Sequence, residues 1–386
     1  MHSSLHQIHH EYRSLATQLV DMPLREWASR FSTVAHDPWA DGSFGMRHGA
    51  SDWDLYGLVD MLICAITLEP IQPLTQEIDP QRWADRIRSC LDERGLATRR
   101  NPTDHVLEHA TAYAYTGLVL LSARGAQVSL PSLRYFRSTT FSPDEFTAWF
   151  DRMGFSTPRW IRGKGLVGSM RISASRLGWY RFWSGSHTVA GVMATMIMRA
   201  QLQSPGADVP AASDMPQLAA FFRLANDRID PSTGLWRSWI KRTLSATADA
   251  ADVGGAAHFL WLYDRVGERH PNPDALLQSA LRLQKPDGLL MRRPSCIDLD
   301  FTHLLWFAAR TGASTDPAII DEAMLRSGVA VLRHLLDAPT LSRYRCAHDL
   351  PGALCALAQV DGYLRWRTLE SGPALTANVL SEACWI

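Results

Sequence analysis

Two aspartates and a histidine stand close together at the start of an apolar segment, at Asp298, Asp300 and His303. If this segment is a helix that begins near Asp300, His303 lies one turn further along the same face. Two neighbouring carboxyl groups in a dry site hold one proton at neutral pH, because desolvation and the like charge both raise one pKa. A neutral carboxylic acid of this kind can protonate an alkene or an epoxide. The competing interpretation is structural, since Asp is a common helix N-cap.

Polar and aromatic residues mark the starts of other apolar segments in the same way. Taken singly, each is more often a helix cap or a hydrogen-bonded core group than a ligand. Taken together, they converge on one place if the segments lie side by side with their N-termini at one end, and such a pocket is a candidate active site. The candidate substrate-binding residues are Tyr56, Asp60, His109, Tyr113, Trp183, His187, His258, Trp261, Trp306 and Asp349.

The segments that carry these residues follow a helical pattern. Apolar residues recur at intervals of three and four, and strict alternation is scarce. Six segments are apolar almost all round, which is typical of helices buried on all sides: Tyr56–Leu68, His109–Leu121, His187–Met198, Gly254–Tyr263, Asp300–Ala309 and Leu350–Gln359. Six segments with one charged side alternate with them: Leu5–Phe31, Pro80–Arg94, Pro143–Met153, Met215–Asp227, Pro273–Leu283 and Pro317–Leu336.

Turns that contain glycine precede the apolar segments, at 37–45, 92–96, 162–166, 230–236 and 286–289. In each, Gly supplies the positive φ that ends the preceding helix. Six pairs of helices form a weak internal repeat, and closing them into a ring buries the apolar members inside. We therefore predict an all-α fold, a single-domain (α/α)6 toroid over residues 1–386, with its cavity at the N-terminal ends of the inner helices.

Two motifs carry a resemblance to a known superfamily: Gln284-x-x-Asp287-Gly288 and Asp298-x-Asp300-x-Thr302. Ahead of an apolar helix, they resemble the α/α toroid superfamily of terpenoid cyclases and protein prenyltransferases. The first is similar to a turn motif of triterpene cyclases, and the second to the Asp-x-Asp-Asp-Thr acid motif of class II cyclases. The resemblance implies acid-initiated cyclisation or isomerisation of an isoprenoid, with Asp300 as general acid and Asp298 and His303 tuning it.

The chain also departs from these families. Phe301 stands where the acid motif has its third Asp, and the chain is short for a two-domain class II enzyme. Prenyltransferases take zinc ligands, including a Cys, from the hairpin before the histidine, and the corresponding residues 251–258 contain no Cys. We therefore expect no metal and no cofactor.

A carbohydrate-active enzyme is the alternative, because the six-hairpin toroid also carries glycoside hydrolases, polysaccharide lyases and sugar epimerases. Imidazoles and carboxylates quench a carbocation, whereas they suit a sugar whose faces stack on aromatic rings. The candidate acid and base are then Asp300 with Asp54, Asp60 or Asp252, and the histidines for a lyase or an epimerase are His109, His187 or His258. A non-catalytic toroid that binds a ligand or a partner protein is the third possibility.

Composition narrows the classes of partner. The 39 basic and 39 acidic residues balance, so nothing in the charge favours nucleic acid or an anionic membrane. The six cysteines lack zinc-site spacing, residues 1–10 lack the pattern of a signal peptide, and no apolar run is long enough to span a membrane. We expect a cytoplasmic protein with a small-molecule substrate, isoprenoid or saccharide. The basic turn at 159–165 and Arg292–Arg293 either contact a diphosphate or are solvated loops.

Overall fold

The protein is built from helices joined by turns. The computed structural model describes residues 2–101, 105–130, 136–155, 181–204, 215–337 and 344–386, and within these ranges extended pairing is limited to isolated bridges. The helices are α1 His2–Ala16, α2 Leu24–Ser29, α3 Leu55–Thr67, α4 Pro80–Ser89, α5 Leu107–Ser122, α6 Pro143–Gly154, α7 Arg181–Gln203, α8 Pro216–Asp227, α9 Trp239–Leu244, α10 Ala250–Val266, α11 Pro273–Leu281, α12 Cys296–Arg310, α13 Pro317–Leu336 and α14 Asp349–Trp366. The predicted all-α class is confirmed.

The six apolar segments form the most buried helices, which are α3, α5, α7, α10, α12 and α14. All thirteen residues of α3 are buried, as an all-round apolar pattern predicts. Each of these six helices contacts the next one along the chain, and the last, α14, contacts the first, α3. Their contacts therefore close into a cycle.

The amphipathic helices pack on the outside of this cycle. Helix α4 lies on α5, α6 on α7, α11 on α12 and α13 on α14. Helix α1 packs against α13, which brings the first helix of the chain next to one of the last. We call the six most buried helices the inner helices and the amphipathic ones the outer helices.

The predicted first outer helix, Leu5–Phe31, is broken in the structure. It consists of α1, a 3-10 helix at Thr17–Asp21 and then α2. Pro23 lies at the break, because proline has no amide hydrogen to donate and disfavours a helical conformation in the residue before it.

The glycine turns take the predicted backbone conformation where the structure describes them. Gly42, Gly95, Gly234 and Gly288 have φ values of 74°, 77°, 67° and 95°. At Gly288 a Cβ atom would also lie 2.4 Å from the carbonyl oxygen of Arg326, so no side chain fits there. The turn at 162–166 lies outside the described residues.

The motif Gln284-x-x-Asp287-Gly288 ties this turn to the outer helix α13. Nε2 of Gln284 donates to the carbonyl oxygens of Gly288 (3.1 Å) and Ala323 (2.8 Å). Oδ1 of Asp287 accepts a hydrogen bond from the amide of Leu289 at 3.1 Å. The side chains of this motif therefore hold the backbone that leads into α12.

The C-terminal segment, residues 375–386, lies across the C-terminal ends of the inner helices. The amide of Ala377 donates to the carbonyl of Thr67 at the end of α3 (2.8 Å), and Gln359 of α14 donates to Asn378 (2.8 Å). Trp385 is fully buried, and its carbonyl accepts from Thr116 of α5 at 2.7 Å. This segment therefore fills the end of the helical cycle opposite to the helix N-termini.

Candidate functional site

Five histidines meet near the N-terminal ends of the inner helices, and we call them the imidazole cluster: His105, His109, His187, His258 and His348. The rings of His105 and His109 stack with their centroids 4.3 Å apart. His187 lies 4.8 Å from His109 and 4.5 Å from His258, and His348 lies 5.8 Å from His105. His109 lies in the first turn of α5, His187 in the second turn of α7 and His258 in the third turn of α10, while His105 and His348 precede α5 and α14. The cluster therefore joins the N-terminal parts of these helices to the middle of α10.

Two tyrosines and a carboxylate support one side of the cluster. Tyr56 stacks on Tyr113 with centroids 4.8 Å apart, and its hydroxyl lies 2.8 Å from Nδ1 of His109. Asp60 is fully buried, and its Oδ1 accepts hydrogen bonds from the Tyr113 hydroxyl and from Nδ1 of His348, the latter at 2.9 Å. Asp60 therefore fixes the orientation of both rings.

Two tryptophans form the inner floor of the cluster. The Trp385 ring lies 5.1 Å from His258 and 5.3 Å from His109. Trp261 lies 5.2 Å from His258 and 5.5 Å from Trp385. The floor thus combines α10 with the C-terminal segment.

Asp298 belongs to the cap of α12. Ser295 is the N-cap residue, and its amide donates to Oδ2 of Asp298 at 3.1 Å. The other carboxyl oxygen accepts from the amide of Leu290 at 2.8 Å. The structural interpretation of the acidic motif therefore applies to Asp298.

Asp300 has no such role. It is 2% exposed, and its Oδ1 has no hydrogen-bond partner among the described residues. A Cβ atom on Gly254 would lie 3.3 Å from Oδ2 of Asp300 and 3.5 Å from Nε1 of Trp183, so this glycine lets both side chains approach α10 closely. Cys296 precedes Asp300 by one turn on the same face of α12.

Three solvent-exposed residues adjoin these groups, and we call the surface that they form the recess. Cys296 and Asp349 are exposed, and the side chain of His348 is 23% exposed. Burial nevertheless raises the pKa of the Cys296 thiol to about 12, with help from the charges of Asp300 and Asp349. Solvent therefore reaches the Cys296 thiol, and the buried Asp300 lies one turn further along the same face of α12.

The carboxyl groups here hold their protons to higher pH than usual. Burial, followed by the charge of Asp298, raises the pKa of Asp300 well above its usual value. Burial raises the pKa of Asp298 to about 6 despite the amides that donate to it. Because desolvation disfavours the charged form, the Asp300 carboxyl keeps its proton to a higher pH than an exposed carboxyl does.

The imidazoles have mixed charge states. Burial, followed by neighbouring histidines, lowers the pKa of His109 and His258 well below the usual value and that of His187 to about 3. Burial acts in the same direction on His348, but the charge and hydrogen bond of Asp60 outweigh it and raise that pKa. Neutral rings and one ring that favours its charged form therefore share one site.

The structure brings most of the predicted residues together and leaves two apart. The candidates at or beside the cluster are Tyr56, Asp60, His109, Tyr113, Trp183, His187, His258, Trp261, Asp300 and Asp349. His303 instead contacts Gln359 of α14, with its Nδ1 3.2 Å from Oε1. Trp306 packs against Gly362 and lies under the guanidinium of Arg310, 4.6 Å from its ring.

The other acids considered from the sequence are tied into the framework. Asp54 caps α3 and accepts from the amides of Gly57 and Met46, both at 2.8 Å. Asp252 accepts from the buried Nζ of Lys241 at 2.9 Å. Neither carboxylate is a good partner for Asp300 in proton transfer.

Sequence reasoning did not include five contributors among the candidate residues: His105, Ser186, Cys296, His348 and Trp385. His105 and His348 both stand at the starts of apolar segments, so the rule that selected His109 and Asp349 also covers them. Trp385 gave no signal, because its contact with the cluster joins positions more than a hundred residues apart in the sequence.

Neither a metal centre nor a membrane span is found in the described ranges. No group of three His, Cys, Asp or Glu side chains there is arranged to hold a metal ion. No helix in the same part of the chain has both the length and the apolar character needed to cross a membrane. Comparison with protein-family models, curated proteins and solved structures returned no match to this chain.

Proposed function

We propose that this chain is an α/α toroid enzyme that carries out acid–base chemistry on a saccharide or a similar hydroxylated small molecule in the recess. The closed cycle of contacts between six buried helices, with amphipathic helices outside, supports the toroid. The convergence of the N-terminal parts of α5 and α7 with α10 in the imidazole cluster supports a site there.

The observation that carries the proposal is the state of Asp300. Its carboxyl is buried, its pKa is raised well above the usual value, and one of its oxygens lacks a hydrogen-bond partner among the described residues. An unpaired buried polar atom costs about 1–3 kcal/mol, so its presence calls for an explanation. A proton donor that waits for a substrate oxygen is such an explanation.

The surroundings of Asp300 favour a hydroxylated substrate. Neutral imidazoles accept and donate hydrogen bonds, and hydroxyl groups can satisfy both. The ring of Trp183 is only half-buried beside Asp300, and aromatic rings of this kind stack on the faces of sugars. A free carbocation, by contrast, would be captured by the imidazole nitrogens of the cluster or by a carboxylate.

Acid-initiated cyclisation or isomerisation of an isoprenoid remains the second candidate. The observation in its favour is that Asp300, whose pKa burial raises, lies on the same side of α10 as the indole of Trp183, and protonation of an alkene requires a protonated acid beside aromatic rings. The Gln284 turn and the acidic motif provide the sequence resemblance, although their described contacts are structural for Gln284 and Asp298.

A product assay by mass spectrometry separates these functions. The purified protein is offered a panel of oligosaccharides and monosaccharides together with prenyl diphosphates and squalene. Asp300→Asn is run in parallel, and Asp264→Asn serves as a matched control because Asp264 pairs with Arg310 near the other end of α10. We expect conversion of a sugar that is reduced at least 100-fold by Asp300→Asn and is unchanged by Asp264→Asn.

Other outcomes point elsewhere. A cyclised or isomerised isoprenoid would overturn the saccharide proposal and favour the second candidate. Turnover that Asp300→Asn leaves intact would remove Asp300 from the chemistry. Binding without turnover of any compound would favour a non-catalytic toroid.

A further inference from the structure

Ser186 determines which nitrogen of His258 carries the hydrogen. The Ser186 hydroxyl lies 2.7 Å from the carbonyl oxygen of Trp183, and its Oγ lies 2.8 Å from Nδ1 of His258. A carbonyl oxygen has no hydrogen to give, so the single hydroxyl hydrogen lies between Ser186 and Trp183. The contact with His258 then needs a hydrogen on Nδ1. In the neutral ring, Nε2 of His258 is consequently an unprotonated acceptor.

This nitrogen is available to a substrate. Nε2 of His258 makes no hydrogen bond within the described residues, and the residue keeps 5% exposure. The groups that face the ring from neighbouring elements are Ser186 and His187 of α7, Trp385 of the C-terminal segment and, through its charge, His105. With burial, these groups keep His258 neutral.

His348 has the opposite proton state. Its Nδ1 faces the carboxylate oxygen of Asp60 at 2.9 Å, so Nδ1 carries a hydrogen and donates it. The ring is held edge-on to Tyr56 and Tyr113, with His105 beside it and the carboxyl of Asp349 adjoining it in the chain. The carboxylate stabilises a positive ring, whose second hydrogen lies on Nε2. With its side chain 23% exposed, His348 can offer this hydrogen to the recess.

We propose that His258 and His348 form a proton-accepting and proton-donating pair for the substrate, with Ser186 and Asp60 as their positioning residues. The catalytic part of this inference rests on the proposed function. A proton leaves a substrate carbon for Nε2 of His258, and the electron pair forms a double bond to the adjacent carbonyl carbon. The carbonyl oxygen takes a proton from Nε2 of His348, while the Asp300 carboxyl donates a hydrogen bond to a different substrate oxygen. One proton is taken and one is given, so no oxidant or reductant is consumed.

The pair therefore defines a reaction class within the proposed function. It fits redox-neutral movement of hydrogen within a hydroxylated carbonyl compound, as in an isomerisation or an epimerisation. Hydrolysis would instead require a group that holds a water molecule, and Asp54 and Asp252 are already engaged by the framework.

Chemical modification tests the proton states and access without a substrate. The full-length wild-type protein is treated with diethyl pyrocarbonate, which acylates unprotonated imidazole nitrogens, at pH 5 and pH 7, and the labelled histidines are quantified by peptide mass spectrometry. For N-acetylhistidine, which has a pKa of about 6.5, the rate of acylation should fall about 25-fold when the pH is lowered from 7 to 5. His258 should react at nearly equal rates at both, whereas His348 should slow at least as much as N-acetylhistidine.

His303 is the control for unfolding, because its Nε2 is buried without a partner in the described ranges. It should not react. Labelling of His303 as fast as His258, or slowing of His258 with acid as in free imidazole, would overturn the proposal.

Nuclear magnetic resonance of protein with ring-15N histidine identifies the tautomer directly. His258→Gln provides the assignment for one ring and His348→Gln for the other. We expect His258 as the neutral Nδ1–H tautomer throughout pH 5–8, with this preference reduced in Ser186→Ala, and His348 as a cation at pH 6. An Nε2–H tautomer at His258 would overturn the pair.

Failure of the pair and failure of the proposed function give different results. The predicted tautomers with no turnover on any panel would leave the proton map standing and remove the proposed function. Sugar turnover with other tautomers would keep the function and overturn the pair.

Discussion

Two aspartates separated by one residue have different environments in this protein. Successive helical residues are rotated by about 100°, so Asp298 and Asp300 point in directions about 200° apart. Asp298 therefore reaches back to the amides of Ser295 and Leu290, while Asp300 faces the Gly254 side of α10. One is a cap and the other an unpaired acid, although the sequence presents them as a pair.

The raised pKa of Asp300 should affect how the free energy of unfolding depends on pH, even without a substrate. Because the folded-state pKa of Asp300 is raised, the native protein binds more protons than the unfolded chain above about pH 4, and stability is lost as pH rises. Asp300→Asn removes this loss. From pH 5 to pH 8 the free energy of unfolding of the variant, measured in urea, should rise relative to that of the wild type by up to about 1.4 kcal/mol per pH unit.

Asp41→Asn is the matched control for this experiment. A hydrogen bond from Ser43 and the charge of Arg86 hold the pKa of Asp41 below its usual value despite burial. Its ionisation is therefore complete above pH 5, and the variant should differ from the wild type by a constant amount. A constant difference for Asp300→Asn as well would show that Asp300 is already ionised at pH 5.

Residue types at helix starts were sufficient to select most of the cluster from the sequence, including His109, His187 and His258. What the sequence did not reveal was direction and long-range contact. His303 shares a helix with Asp300 but faces Gln359, and Trp385 reaches the cluster from the far end of the chain. Side-chain direction within one turn depends on where a helix begins, which pattern reasoning locates only to within a few residues.

At the scale of elements, close contacts between inner helices depend on glycine in their first turns. A Cβ atom on Gly352 of α14 would lie 2.3 Å from the amide nitrogen of Cys296, which is backbone and cannot move aside alone. The starts of α14 and α12 can approach this closely because Gly352 has no side chain. This contact sets the spacing of the recess between His348 and Asp300.

Gly352→Ala should therefore separate the two helix starts. The clash should cost about 1–3 kcal/mol, as overpacking does, and exceed the gain of up to about 1 kcal/mol from better helix propensity. Unfolding in urea measures the loss, and faster alkylation of Cys296 reports the opened recess. Gly372→Ala, where nothing lies within 4 Å, should stay within about 0.5 kcal/mol of the wild type. Equal stability of both variants would contradict the argument.

The inner helices could be predicted from the sequence because a helix buried on all sides has few polar residues on any face. The turns could be predicted because a positive φ favours glycine. The same logic explains the break at Pro23, which the apolar pattern alone had hidden. Closure of the six inner helices into a cycle was a prediction from the repeat, and it depends on contacts between α14 and α3 that no local pattern encodes.

At the scale of the whole molecule, the fold buries histidines whose rings are neutral. Burial, with His105 and His348, lowers the pKa of His187 to about 3, whereas an unfolded histidine titrates near 6.5. Unfolding between these pH values therefore takes up one proton at this residue. Acid should destabilise the protein well before its carboxylates are protonated.

His187→Gln should make the protein less sensitive to acid. As the pH falls from 6 to 4, the free energy of unfolding of the wild type should decrease by about 1.4 kcal/mol per pH unit relative to the variant. The reason is that only the wild type binds the extra proton on unfolding. Below pH 6 the free energy of unfolding of His348→Gln should depend on pH in the same way as that of the wild type. The raised pKa leaves the His348 ring charged in both the folded and the unfolded state. Parallel curves for His187→Gln would mean that His187 is charged in the native protein.

The C-terminal segment makes the site dependent on the order of synthesis. Trp385 forms the floor beneath His109 and His258, and it is synthesised after all six inner helices, which precede it in the chain. Until then, the inner helices can associate but their common end stays open. The site is therefore completed only after the inner helices have been made. A nascent or prematurely terminated chain would expose the histidines of the cluster where Trp385 covers them in the full chain.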